Sequence, residues 1–99
     1  MSHSMAQPIP LPTSSGAVTI HSTPGYTEIT GLALAETGGS NSVTVVIRQG
    51  SATGNVLVAK TIAAGAGDTV SLNRPVKCNG TPYAVISGSG TLAGTIHIA

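Results

Sequence analysis

The sequence predicts an all-β fold, a small antiparallel β-sandwich of about seven short strands, Ig-like or jelly-roll-like. Three observations carry that expectation. Apolar and polar residues alternate with a period of two in run after run. Val, Ile and Thr dominate those runs, and such residues favour strands over helices. Gly, Ser, Asn and Pro clusters punctuate the chain at roughly 8–12-residue spacing, the rhythm of strands joined by turns. No stretch of useful length carries a helical period.

The elements follow in order. Residues 1–16 hold Pro8, Pro10 and Pro12 alternating with Ile9 and Leu11. Each proline fixes its own φ and pushes its predecessor towards extended geometry, so the stretch reads as an extended N-terminal arm. The plain reading is a disordered tail; the sharper one is an arm that lays its apolar residues, Ile9 and Leu11, on a neighbouring subunit. The sandwich domain is expected over 17–99. AVTIHS (17–22) alternates, and Pro24-Gly25 turns the chain into YTEITGLALAE (26–36). Gly31 interrupts that run, where a bulge or kink is expected. TGGSNS (37–42) is a loop, VTVVIRQ (43–49) a strand, and GSATG (50–54) a hairpin-like connection to NVLVAKTI (55–62). AAGAG (63–67) leads to DTVSL (68–72), a run that Arg74-Pro75 is expected to break. Asn79-Gly80 is a strong turn signal, and YAVISG (83–88) and LAGTIHI (92–98) close the chain around SGSG (87–90).

Composition narrows the function. The 99 residues include no Phe, no Trp and two Tyr, so aliphatic side chains must fill the core. A single cysteine, Cys78, forbids an intrachain disulfide, which leaves oligomerisation as the remaining staple for so small a chain. Charged residues make up 7% of the sequence, against roughly 25% in an average globular protein. A surface built from hydroxyl and amide groups suits permanent assembly with neighbours, because burying a hydroxyl costs far less than burying a charge. The net charge of +1 offers no electrostatic footprint for nucleic acid or an anionic membrane. The first residues lack the basic and apolar regions of a signal peptide. No apolar run approaches the ~20 residues of a membrane span.

Catalytic chemistry finds little to work with. The acids are Glu28, Glu36 and Asp68. Glu28 and Glu36 share a face of one strand only if Gly31 preserves the register, and even then they lie too far apart for paired-carboxylate catalysis. They read as solvated strand-end charges. His21 and His97 sit near strand ends, and no four-ligand metal set forms from them with Cys78. A trimer could bring one histidine from each chain to an axis, although exposed polar-face histidines are the simpler reading. No nucleophile elbow or phosphate-binding glycine pattern occurs. Asn79-Gly80-Thr81 matches a glycosylation triplet but reads as a turn, and Cys78 reads as an inert, half-buried thiol. Arg74 and Lys77 form the one local basic pair, a candidate rim contact to a partner. The expectation is a protein that is not an enzyme, with no catalytic residues, cofactor or metal.

From Val43 to Ile98 the order of elements resembles the small virion proteins of tailed bacteriophages, of the capsid decoration or cement type. The likeness runs through VTVVIRQG, a Ser/Ala/Thr/Gly turn, NVLVAKTI, the linker AAGAGDT, a proline-containing crossover, an N-G turn, PYAVISG and the final GTIHI. It covers a little over half the chain and departs at CNGTPY, where a more apolar residue would follow the turn. The resemblance implies a non-enzymatic structural component of the virion, on the capsid surface. It would bind the major capsid protein and stabilise the head shell, often as a homotrimer. A tail, fibre or baseplate accessory domain is the alternative within the virion. A lectin-like or adhesion module is the alternative outside it.

Overall fold

The computed structural model describes residues 7–18 and 26–98. Eight strands run through them: β1 (Gln7–Pro10), β2 (Gly16–Ala17), β3 (Tyr26–Glu36), β4 (Val43–Gln49), β5 (Val56–Ile62), β6 (Gly67–Asn79), β7 (Pro82–Ser87) and β8 (Leu92–Ile98). They form two four-stranded sheets, in the orders β1-β8-β3-β6 and β2-β7-β4-β5. Every pairing is antiparallel. The chain is a small β-sandwich, as the alternation predicts.

The pairing scheme separates the two sandwich types that strand count alone leaves open. β1 pairs with β8, β2 with β7, β3 with β6 and β4 with β5. The first four strands thus pair in reverse order with the last four, as if one long hairpin with its tip at 50–55 had been rolled up. Only the β4–β5 connection stays within a sheet, and every other one crosses between sheets. That connectivity is a jelly roll, not an immunoglobulin sandwich.

Among the described residues, no aromatic ring enters the core between the sheets. Ile29, Leu32, Ile47, Ile62, Leu92 and Ile96 are the largest of its fully buried side chains. On β4 the burial alternates strictly, with Val43, Val45 and Ile47 inside. Each such side chain contributes about 1.5–3 kcal/mol on full burial.

The N-terminal segment departs from the sequence expectation. Residues 7–17 are not a free arm outside a 17–99 domain, because β1 and β2 are edge strands of the two sheets. Ile9 and Leu11 are each 8% exposed and belong to the chain's own core. Their alternation with proline has a sheet explanation. The Leu11 N–H donates to Gly94 O at 2.9 Å, so odd-numbered positions face β8 and Pro8 and Pro10 face outward. Proline lacks the N–H that an added strand would bond, so this edge refuses further pairing. On the other sheet, the Ile86 N–H donates to Ser15 Oγ at 2.9 Å, which extends the cover of β7 beyond the two-residue β2. The candidate strand 17–22 falls partly outside the described residues, as do His3, His21 and the Pro24-Gly25 turn.

A second departure concerns Arg74-Pro75, which does not end a strand. β6 continues to Asn79, and the break is absorbed by an irregularity against β3: Ile29 pairs with Val76 and Gly31 with Ser71, leaving 72–75 looped out. An edge strand with a bulge is where a sheet tolerates proline. Gly31 marks the same irregularity, as expected, and here the backbones close in: a Cβ on Gly31 would collide with the Val70 carbonyl oxygen. Gly31→Ala should therefore force the β3–β6 register to shift, at a cost of about 1–3 kcal/mol. Chemical denaturation would check it, and an unchanged midpoint would dismiss the close approach as a constraint.

Candidate functional site

The Gly31 irregularity decides the fate of the two glutamates on β3. Before it, Ile29 faces the core and Glu28 faces out. After it, Leu32, Leu34 and Glu36 face inward. The two acids lie on opposite faces, and no carboxylate pair exists. Glu28 instead stands beside Lys77 of β6 in register.

Glu36 is not the solvated strand-end charge that the sequence led us to expect. It is 3% exposed, and its carboxylate accepts four backbone N–H groups. Oε2 receives Gly38 at 2.8 Å and Thr91 at 2.7 Å, and Oε1 receives Gly39 at 2.7 Å and Gly65 at 2.8 Å. These donors come from three loops at one end of the sandwich, the β3–β4, β5–β6 and β7–β8 connections. The N–H groups of Thr91, Gly65, Gly39 and Gly38 favour the ionised form and outweigh the opposing effect of burial, holding the Glu36 pKa at about 2.

The loops also meet backbone to backbone. Glu36 N–H donates to Ala66 O at 2.9 Å, Thr37 N–H to Thr91 O at 3.0 Å, and Gly90 N–H to Ser42 O at 3.0 Å. A Cβ on Gly90 would lie 2.6 Å from the Asn41 carbonyl oxygen, so only glycine permits that approach. Gly88 and Gly90 of SGSG are thus a packing requirement against residues 41–43 as well as a turn signal, whereas Gly39 and Gly65 serve positive φ values at their turns.

The remaining polar groups are scattered. Lys60 Nζ lies 2.7 Å from Asp68 Oδ2, tying β5 to β6 across the open side of the sandwich. That ammonium's hydrogen bond and charge hold the Asp68 carboxyl below its usual range. Arg48 donates from Nη1 to Gly54 O at 2.9 Å, bracing the β4–β5 turn. His97 lies on the outer face of the first sheet, 3.3 Å from Thr95 Oγ1. Cys78 is fully buried rather than half-buried, and burial pushes its thiol pKa up, which suits an inert packing group. Arg74 and Lys77 are exposed on β6, Arg74 within the looped-out stretch. Among the described residues, no three His, Cys, Asp or Glu side chains converge as a metal set.

A shallow groove crosses the outer face of the first sheet, lined by Ala33, Ala35, Gly67, Thr69, Ala93 and Thr95 among others. Its lining carries no ring and one charged residue, Asp68, already paired with Lys60. The chain matches no family model, no curated protein and no solved structure. Connectivity and geometry therefore carry the functional reading alone.

The sequence-chosen residues and the structural centre do not coincide. Ile9 and Leu11 pack internally, Arg74 and Lys77 stand on an edge strand, and the most organised polar group is Glu36. The signal that could have found it is local: an acid at the end of an apolar alternation, followed by Thr-Gly-Gly, sits where unpaired loop N–H groups can turn towards a carboxylate.

Proposed function

We propose that this chain is a structural virion protein, a decoration (cement) protein on the head shell of a tailed bacteriophage, acting as a homotrimer on the major capsid protein. The observation that carries the reading is a surface whose exposed loops present hydroxyl, amide and glycine groups, while the buried acid and the Lys60–Asp68 pair are satisfied within the chain. Such a surface can be covered by neighbours at little desolvation cost. Symmetry then multiplies weak contacts into firm occupancy. Jelly rolls recur in viral shells, which is an analogy of fold and raises the reading without carrying it.

Lectin domains share the frame, but a sugar site ordinarily stacks its ligand on an aromatic ring, and the groove on the first sheet offers none. The test is co-sedimentation with empty head shells assembled from the major capsid protein of the phage whose genome encodes this chain. Saturable binding should persist to about 0.5 M salt, since few charges would mediate it. Light scattering should give a trimer's mass. Absence of binding at any protein concentration overturns the reading.

A further inference from the structure

We propose that the loop end fastened by Glu36 is the face that seats on the shell, and that it fits an uncharged, hydrogen-bonding protein surface. This inference rests on the decoration reading above. It begins from what the fastening does. Loops rich in Gly and Ser ordinarily sample many conformations, and ordering them on contact costs binding free energy. Here part of that ordering is built into the chain itself. One carboxylate holds N–H groups of three loops within 2.7–2.8 Å, and three further backbone bonds join the loops and the adjacent strand ends. The carboxylate is directed inward and occupied by its four donors. Its product is therefore the shape of the loops, not a chemical group offered to a ligand.

That shape is presented outward. Residues 37–42, 63–65 and 87–89 are exposed, and none of them carries a charge. The exposed groups are hydroxyls, the Asn41 amide, methyls and main-chain atoms. The opposite end differs in kind. Glu28 and Lys77 stand there in register, Arg48 braces its hairpin turn, and Arg74 projects from the looped-out part of β6. Among the described residues, the loop end joins a fixed backbone to uncharged loops, and the Lys60–Asp68 pair beside residues 63–65 is already neutralised within the chain, the pairing of properties that a repeated, permanent contact requires. The edge carrying Pro8 and Pro10 refuses strand addition, which leaves loop contacts as the means of docking there.

The experiment places a charge at each end in turn. Ser40→Glu and Ser89→Glu alter exposed loop side chains, and Ser51→Glu puts the same charge on the exposed turn at the far end. All three should keep the wild-type melting temperature. S40E and S89E should lose about tenfold or more in affinity for empty head shells, because a carboxylate would be buried unpaired in the contact, while S51E should bind as the wild type does. If wild type binds and S40E and S89E bind equally well, the loop end is not the docking face. Loss of binding in S51E alone moves the contact to the other end and likewise overturns the inference. Failure of the wild type itself to bind rejects the decoration reading instead, so the two failures remain distinct.

Discussion

Glu36→Gln should lower the melting temperature more than any other single substitution of a polar side chain in this protein, by an amount on the order of 10 °C. The amide keeps one oxygen for two of the four N–H donors, but its nitrogen meets the other two donor to donor. Glu36→Ala leaves all four N–H groups without the carboxylate, and unsatisfied buried donors are costly. The loss should also depend on pH. Glu36 has a folded-state pKa near 2 against an ordinary value of 4.5. A folded pKa below the unfolded one means that the ionised group contributes stability in full above about pH 4.5 and loses it as the pH falls towards 2. The gap between wild type and E36Q should therefore be widest near neutrality and should narrow across that acid window. Melting curves of both proteins from pH 7 to pH 2 measure it directly. A gap that stays constant over the range would mean that the charge of Glu36, as distinct from its shape, contributes nothing.

Removing residues 1–11 should destabilise the domain by about 3–6 kcal/mol, the burial of Ile9 and Leu11 at about 1.5–3 kcal/mol each. A domain of this size has a total stability of about 5–15 kcal/mol, so the shortened chain stands near the limit of folding. If it fails to fold, Ile9→Ala and Leu11→Ala keep the question open to measurement, at about 2–5 kcal/mol apiece. The urea midpoint followed by circular dichroism is the readout. An unaltered midpoint would show that the first strand lies loosely on the sheet and is free to reach a neighbour, as the sequence alone led us to expect. A large drop shows that any loss of shell binding after truncation reports a damaged domain, not a missing contact.

Much of the sandwich was legible because its signals are local. VTVVIRQ and LAGTIHI announce β4 and β8 by alternation, and their bounds are as read. Gly31 announced its bulge because a residue without a side chain in the middle of an apolar strand needs a reason. What escaped notice depends on partners far away in sequence. Nothing near Gln7 signals that it pairs with Ile98, so an extended segment was legible while its place in a sheet was not. Pro75 misled for a related reason: proline forbids a central strand, and only the edge position of β6 makes it harmless. The strand order is likewise a global property, which is why immunoglobulin and jelly-roll sandwiches looked alike. Glu36 escaped because its four donors come from three separate loops, and alternation reports which face a residue occupies, not who meets it there.

The rolled-hairpin pairing also fixes an order of events for a chain leaving the ribosome. The β4–β5 hairpin closes over the short turn 50–55 and can form as soon as both strands have emerged. Each later pairing encloses the earlier ones, and the entropy of closing a loop grows with its length. β1 emerges first of all the strands yet must wait for β8, since Gln7–Pro10 pairs with Thr95–Ile98. Until β8 is made, Ile9 and Leu11 lack the neighbouring strand on which they lie. A topology so dominated by distant pairings belongs among slow-folding β proteins, on the scale of milliseconds to seconds. The strand that seals the roll is therefore made before the seven others described, and β8 acts as the catch that closes it.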